Sequence, residues 1–373
     1  MRAAIAAVWA VVLSTFFLQT GNGLQTDLIS VRADLEAFPA GVIGLMMAAY
    51  YVGYSLAPLA GRAVIGLGGH VRTIVFCAIA AAAVISLHPF AVTPPAWAAF
   101  RFVSGFLLSL AYVGYESWIN DRVPNALRGR VFGIYMFAQM AAMTAAQGLF
   151  RLGDAVSILP FLLAAGLFVL AAVPVAAAHR AAPAAAPPAP LGLLTLFRLS
   201  PLGAGATVLA GLSWAIVFTF GPIYARHMGF DAAGVALFMG VAMVAGATLQ
   251  LPLGWLSDVI GRRPVILLVF TAGLLASLFG IWAEGAIAGL VAIALAGGFV
   301  FPLYAIAVAH VNDGIAAETR VAAAAGLVLL FGIGSIFGPL LCGWTMGAMG
   351  NAGFYALLSA ATAAGVVLAL RCR

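Results

Sequence analysis

A few polar side chains stand inside long apolar runs, and these are the residues whose types could do chemistry. Arg101 and Glu116 both fall in the run 95–118. A helix advances about 1.5 Å and turns about 100° per residue, so these two share a face with Leu108 and Tyr112 yet lie about 22 Å apart. They do not pair directly. An Arg at the centre of a membrane-length helix costs roughly 2.5–3.5 kcal/mol on insertion scales. Arg101 is therefore expected to serve a function, either neutralising an anionic solute or acting on a proton-carrying carboxylate. Glu116 is the matching candidate for carrying the proton.

Other runs carry hydrogen-bonding stripes. Thr15, Gln19, Asn22 and Thr26 line one face of the first run, and Gln19 and Asn22 are candidate solute ligands. A polar stripe facing lipid would be costly, so it faces protein or water. Tyr135, Gln139, Met143 and Gln147 recur every four residues in the fifth run, and Gln139 joins the candidates. Tyr50 and Tyr54 share a face of the second run, and Trp214 and Tyr304 stand in the seventh and tenth. Asp27 is expected at the outer interface, and Tyr224, Arg226 and His227 read as a belt at the membrane surface.

The elements that must position these groups follow from composition. Of 373 residues, 65% are hydrophobic and 8% charged, against roughly a quarter charged in an average soluble domain. Such a chain cannot cover a water-soluble fold, and its continuous apolar runs do not alternate as membrane β-strands do. Twelve runs reach the length of about 20 residues that crosses the hydrocarbon layer. They are 4–27, 39–61, 72–92, 95–118, 129–152, 156–178, 201–226, 232–255, 263–283, 286–310, 320–345 and 350–371. The predicted class is an all-α polytopic membrane protein.

All 17 basic residues are Arg, against 11 acids, giving a net charge of +6. With the N-terminus inside, Arg2, Arg62, Arg72, Arg122, Arg128, Arg130, Arg180, Arg198, Arg262, Arg263, Arg320, Arg371 and Arg373 lie on the cytoplasmic side. Only Arg32, Arg151 and Arg226 lie outside. Positive loops stay in the cytoplasm, so both termini are expected there. No basic stripe with interleaved aromatics points to nucleic acid. Cys77, Cys342 and Cys372 have no metal-ligand or disulfide spacing, and no cofactor is expected. The segment HRAAPAAAPPAP opens a predicted linker, 179–199, between two six-helix halves, 1–178 and 200–373.

The halves resemble each other at an offset of 192–193 residues. Gly61-x6-Gly68-x-His70 matches Gly254-x6-Gly261-x-Arg263, Gly105 matches Gly297, and Tyr112 matches Tyr304. Asn120-Asp121-x6-Arg128 matches Asn312-Asp313-x6-Arg320. Four matches in one order imply a pseudo-two-fold arrangement of the kind secondary transporters use.

Residues 254–264, GWLSDVIGRRP, resemble the loop signature of the major facilitator superfamily, G-x-L-a-D-r-x-G-R-R, at the place that family carries it. ESWINDRVPNALRGR, GPIYAR and AHVND resemble its YcaD-like branch. The resemblance implies the major facilitator fold, with the first, fourth, seventh and tenth helices lining a cavity. It implies a secondary transporter working by alternating access in a bacterial inner membrane. The predicted cargo is a small organic solute, amphipathic or weakly anionic, moved by a monomer among membrane lipids with a proton as co-substrate. A facilitator without ion coupling, and a non-transporting sensor or scaffold, use the same fold. The chain departs from the signature in its first half, where GRAVIGLGGHVR has Ile65 in place of the Asp. The GxxxGP string expected of antiporters in the fifth helix is missing there and occurs instead as Gly334-x3-Gly338-Pro339, which reads as a close-packing surface.

The signature implies a cytoplasmic gate. Asp258, Arg262 and Arg263 are its second-half members, with Asp313 and Glu318 as acids in reach. Arg72, Asp121, Arg128 and Arg320 complete the set. Without Lys the chain has no nucleotide-binding Gly-x4-Gly-Lys-Ser/Thr loop. His88, His227 and His310 fall on different spans and no acidic dyad exists, so the chain is not expected to be an enzyme.

Overall fold

The computed structural model describes residues 2–179, 192–316 and 319–372, leaving aside the side chains of 2–7, 125, 126, 128, 129, 320 and 321. Among the described residues all regular structure is helical. Without water in the bilayer core, each spanning segment must satisfy its backbone internally, which a helix does. The elements are α1 Arg2–Leu35, α2 Ala40–Gly68, α3 His70–Leu87, α4 Pro94–Arg122, α5 Asn125–Phe150, α6 Leu159–Ala177, α7 Leu193–Leu199, α8 Pro201–His227, α9 Ala232–Ile260, α10 Arg262–Ile281, α11 Gly285–Val300, α12 Leu303–Asp313, α13 Arg320–Met349 and α14 Ala352–Arg371. Among the described residues ten helical stretches are long and apolar enough to cross a membrane. The long helices α1 and α5 occupy the places of the first and fifth expected spans.

Local sequence explains the helix ends. Pro201 begins α8 behind Ser200, whose hydroxyl accepts from the Gly203 N–H. Asp231 caps α9 in the same way through Gly234. Each stabilises one of the donors a helix start leaves open. The turns at the two signature loops are one residue long. Gly69 (φ 74°) joins α2 to α3, and Gly261 (φ 93°) joins α9 to α10. Only Gly adopts that left-handed backbone without cost. Helix α1 runs eight residues past its expected end. It stops where Ala37 turns left-handed (φ 56°) and the Phe38 N–H reaches back to the Ala33 carbonyl.

The chain forms two compact units, Met1–Ile29 with Val52–Ala189, and Ser30–Tyr51 with Pro190–Arg373. Residues 30–51 thus belong with the second unit rather than with the other first-half spans. The expected linker 179–199 lies largely outside the described residues, and its last part is the helix α7.

Each unit relies on glycines where helices touch. In the first, a Cβ on Gly53 would strike the Phe102 carbonyl of α4, and one on Gly23 would come within 2.8 Å of Ala146. In the second, α13 lies along α8. A Cβ on Gly334 would strike the Val208 carbonyl, and one on Gly338 would sit 2.5 Å from the Leu212 carbonyl. Ser335, between them, donates to the carbonyls of Gly211 (3.1 Å) and Phe331 (2.9 Å). The Gly-x3-Gly string is therefore a packing surface, since small residues let backbones approach.

Candidate functional site

In the first unit, the polar stripe of α1 meets α4. Gln19, Asn22 and Thr26 are half-buried and Thr15 is buried. The Tyr112 hydroxyl donates to the Gln19 amide oxygen. Gln25 donates to the Asn22 side-chain oxygen at 3.1 Å, and Thr26 donates to the Asn22 carbonyl at 2.8 Å. The rings of Tyr54 and Tyr112 lie 6.4 Å apart, and those of Tyr112 and Tyr115 lie 6.2 Å apart. Tyr115 shares a 2.6 Å hydrogen bond with Ser14, which donates to the Ala171 carbonyl. Four helices, α1, α2, α4 and α6, thereby fix one polar face. Packing of these helices brings Gln19, Asn22, Tyr54 and Tyr112 together.

Glu116 follows Tyr115 on α4, and its side chain is exposed. Tyr135 of α5 lies within electrostatic reach of it. The Tyr135 hydroxyl, on a ring only 1% exposed, makes no regular hydrogen bond and lies beside Thr15. No ion pair of Glu116 occurs among the described residues.

Arg101 is placed differently. Its side chain is 1% exposed, one turn from Trp97, whose indole donates to the His88 carbonyl at 3.0 Å. Gln139 is half-buried, and its amide points to Met136 Sδ at 3.6 Å on its own helix. Gln147, on the same stripe, instead donates to Asp27 at 2.6 Å. Asp27 is 1% exposed, so it is a buried residue and not an outer-interface acid. The reason is the length of α1, which carries the chain eight residues further before it turns. Tyr50 belongs to the second unit, buried edge-on to Tyr51 at 5.2 Å, and so does not share a unit with Tyr54.

The second unit has an aromatic cluster where the tenth span is broken. Pro302 separates α11 from α12, since proline cannot supply the helix N–H. Beside the break, Trp214 touches Phe301 at 4.8 Å, Phe218 at 5.2 Å and Phe331 at 6.0 Å, and Tyr304 meets Phe331 at 5.0 Å. The Trp214 indole N–H has no hydrogen-bond partner. Trp214 and Tyr304 were among the candidates named from sequence. The three phenylalanines were not, because nothing in their spacing distinguishes them from other apolar positions.

At the α9–α10 turn of the second unit, Arg262 joins three helices. It contacts Asp258 of α9 at 2.5 Å, Asp313 of α12 at 3.1 Å and Ser257 at 2.5 Å. Arg263 does not join them. It donates to the carbonyls of Ala369 (3.1 Å) and Leu370 (3.3 Å), capping α14. Adjacent residues on a helix diverge by about 100°, so one signature Arg reaches the acids and the other the open carbonyls. In the first unit, Asp121 lies 3.7 Å from its neighbour Arg122, and His70 bonds Ser117 at 3.0 Å. Arg72 is exposed. The Arg128, Glu318 and Arg320 side chains lie outside the described residues.

The C-terminal end of α8 holds a cluster that sequence reasoning missed. Asp34 pairs with Arg226 and His227, each at 3.0 Å, and His227 also bonds Asn351 at 2.9 Å. Tyr224 is 3% exposed and stacks on Phe354 at 5.1 Å, so it is a core residue and not part of a surface belt. Asp34 and Arg226 are 192 residues apart, and such a separation leaves no local signal.

The family model for the Major Facilitator Superfamily matches residues 3–247 and again 203–373. The chain belongs to the Major Facilitator Superfamily. An uncharacterised MFS-type transporter of Enterobacter sp. (strain 638) is 25% identical over 317 residues, 82% of this chain and 79% of that one. The YcaD transporter of Escherichia coli O45:K1 is 26% identical over 247 residues, 65% of this chain and 63% of that one. These relatives place the chain in the superfamily's YcaD-like branch. In fold it is similar to the nucleoside transporter NupG, with a TM-score of 0.77, 14% identity and coverage of 98% and 97%. The D323A mutant of NupG gives 0.79, 15%, and 98% of both chains. This superfamily member is thus an integral membrane transporter for a small-molecule solute.

Proposed function

We propose that this transporter moves a small amphipathic organic solute across the bacterial inner membrane by alternating access, coupled to a proton. Both termini face the cytoplasm in this reading, as the Arg distribution favours. The observation that carries it is the polar face of the first unit, where Gln19, Asn22, Tyr54 and Glu116 stand on spanning helices with accessible surface and the buried Tyr112 holds Gln19. Gln139 adds a half-buried amide, and Trp214 and Tyr304 add aromatic surface in the second unit. Glu116 is the proton carrier. Arg101 is an orienting residue, because its burial keeps it from direct solute contact. A weakly anionic solute would depend on an accessible Arg101, so the geometry disfavours it. The gate in this reading is the Asp258–Arg262–Asp313 network, with Arg72, Asp121, Arg128 and Arg320 as its first-half and flanking members.

The test is solute flux into proteoliposomes with and without an imposed pH gradient, over a panel that includes nucleosides, amines and carboxylates. Accumulation against a gradient is expected, with loss of accumulation but retained equilibration in Glu116→Gln. Equilibration alone in the unaltered protein would overturn the coupling. Absence of flux for every solute, in protein that is folded and inserted, would overturn transport itself.

A further inference from the structure

We propose that Asp27 carries a proton in the folded protein, separate from the one assigned to Glu116, and that this proton bridges Asp27 to Gln147 and holds α1 against α5. The transporter reading above does not use this pair. Asp27 is 1% exposed and Gln147 is 5% exposed. The Gln147 amide nitrogen donates to Asp27 Oδ2 at 2.6 Å, across 120 residues of chain. One turn earlier the same two helices touch. A Cβ on Gly23 would come within 2.8 Å of the Ala146 Cβ and 3.3 Å of Met143 Sδ. Gly23 and Asp27 are four residues apart and share a face of α1, so α5 covers both.

An ionised carboxylate in that place has too little to balance it. The Gln147 amide is neutral, and no ion pair of Asp27 occurs among the described residues. The charged groups nearest along each element are engaged elsewhere or open to water. On α1, Arg32 pairs with Glu36 at 2.6 Å, and Asp34 pairs with Arg226 and His227 at 3.0 Å each. On α5, Arg151 stands one turn beyond Gln147 and is exposed. Helix α6, which meets α1 where Phe168 faces Gly21, carries no titratable side chain. Burying an isolated ionised carboxylate costs far more than burying the neutral acid, so the group takes up a proton. The acceptor for that proton is also present. Gln147 Oε1 is buried and has no hydrogen-bond partner. A carboxylate only accepts, whereas a carboxylic acid donates one O–H. Protonated Asp27 supplies the donor that the pair lacks. The Gln147 N–H donates to Asp27 Oδ2, and the Asp27 O–H donates to Gln147 Oε1. Release of the proton to water leaves a carboxylate that must be hydrated, and water reaches it only if α1 and α5 part. The site thus ties one protonation to one helix contact.

The experiment is infrared spectroscopy of the purified full chain in detergent at neutral pH, as difference spectra against Asp27→Asn. Asparagine has the shape of the protonated acid and keeps a donor and an acceptor for Gln147, so this variant is expected to fold. The expected result is loss of a protonated-carboxyl C=O stretch in Asp27→Asn, its displacement in Gln147→Leu, and its persistence in Glu116→Gln. Thermal unfolding across pH is the second readout. A proton held by the folded state and given up on unfolding makes stability fall as pH rises above the ordinary carboxyl range, about pH 4. The folded-to-unfolded ratio of the unaltered protein, relative to Asp27→Asn, should fall by up to about tenfold per pH unit. Loss of carboxylate bands in place of the acid band in Asp27→Asn overturns the proposal, as does a stability difference that does not change with pH. The carried proton is tested apart, by Glu116-dependent accumulation in proteoliposomes. Transport that persists without the Asp27 band would leave the transporter reading standing while this site falls, and the band in protein without flux would do the reverse.

Discussion

The network around Arg262 allows a prediction with a bounded magnitude. The perturbation is a double-mutant cycle, Asp258→Asn and Asp313→Asn alone and together, with Arg262→Ala beside them. The side chains of Asp258 and Asp313 are 62% and 60% exposed, and that of Arg262 is 22% exposed. Pairs so open to water are worth about 0.2–1 kcal/mol each. Removing Arg262 strands no buried charge, because both acids remain hydrated. The whole network should therefore contribute about 1–2 kcal/mol, more than one surface pair because a single ordered guanidinium serves two acids. For a domain of this size that is a fall in melting temperature of about 2–8 °C. Each single Asn variant should lose about half of this or less. Arg262→Lys should not rescue, since one ammonium cannot reproduce a fork that reaches Asp258, Asp313 and Ser257. The assay is thermal unfolding in detergent at low and at about 1 M salt, where the screening length shrinks to about 3 Å. The penalty should shrink in high salt. A salt-independent loss above about 3 kcal/mol would refute the reasoning, because it would mean a desolvated pair. If the network also gates, Asp313→Asn should change transport rate by more than its small stability cost explains.

Three further outcomes follow from named contacts. Gly334→Val forces α13 off the Val208 carbonyl and should cost about 1–3 kcal/mol, read as a lower melting temperature, whereas Gly347→Ala, which has open space, should be near neutral. Asp27→Ala leaves the buried Gln147 amide without its acceptor and should cost about 1–3 kcal/mol, while Asp27→Asn keeps an acceptor and should cost less; equal losses in thermal unfolding would refute this. Ala37→Gly relieves the left-handed strain that ends α1 and should be neutral or stabilising by up to about 1 kcal/mol, with a fall in melting temperature as the contrary result.

Much of this protein is legible without coordinates, for physical reasons that act locally. A run of apolar residues in a bilayer has only helix available to it, so the spanning helices and the all-α class could be read directly. The Asp258-x3-Arg262 pair is also local, because four residues bring two side chains to one side of a helix. The stripe at Gln19 and Asn22 follows from helical period alone, and the packing role of Gly334 and Gly338 from their spacing and size.

Tertiary structure decided what depends on distance along the chain. Only packing of α1 against α4 shows that Tyr112 holds Gln19, and only packing against α5 takes Asp27 out of water to meet Gln147. Period puts Arg101 and Glu116 on one face of α4, but the neighbours of that face change along its length. The arginine is closed over by packed side chains and the carboxylate is exposed. Asp34 and Arg226, 192 residues apart, meet for the same reason. A sequence records which groups share a helix face, and the fold alone determines what stands opposite it.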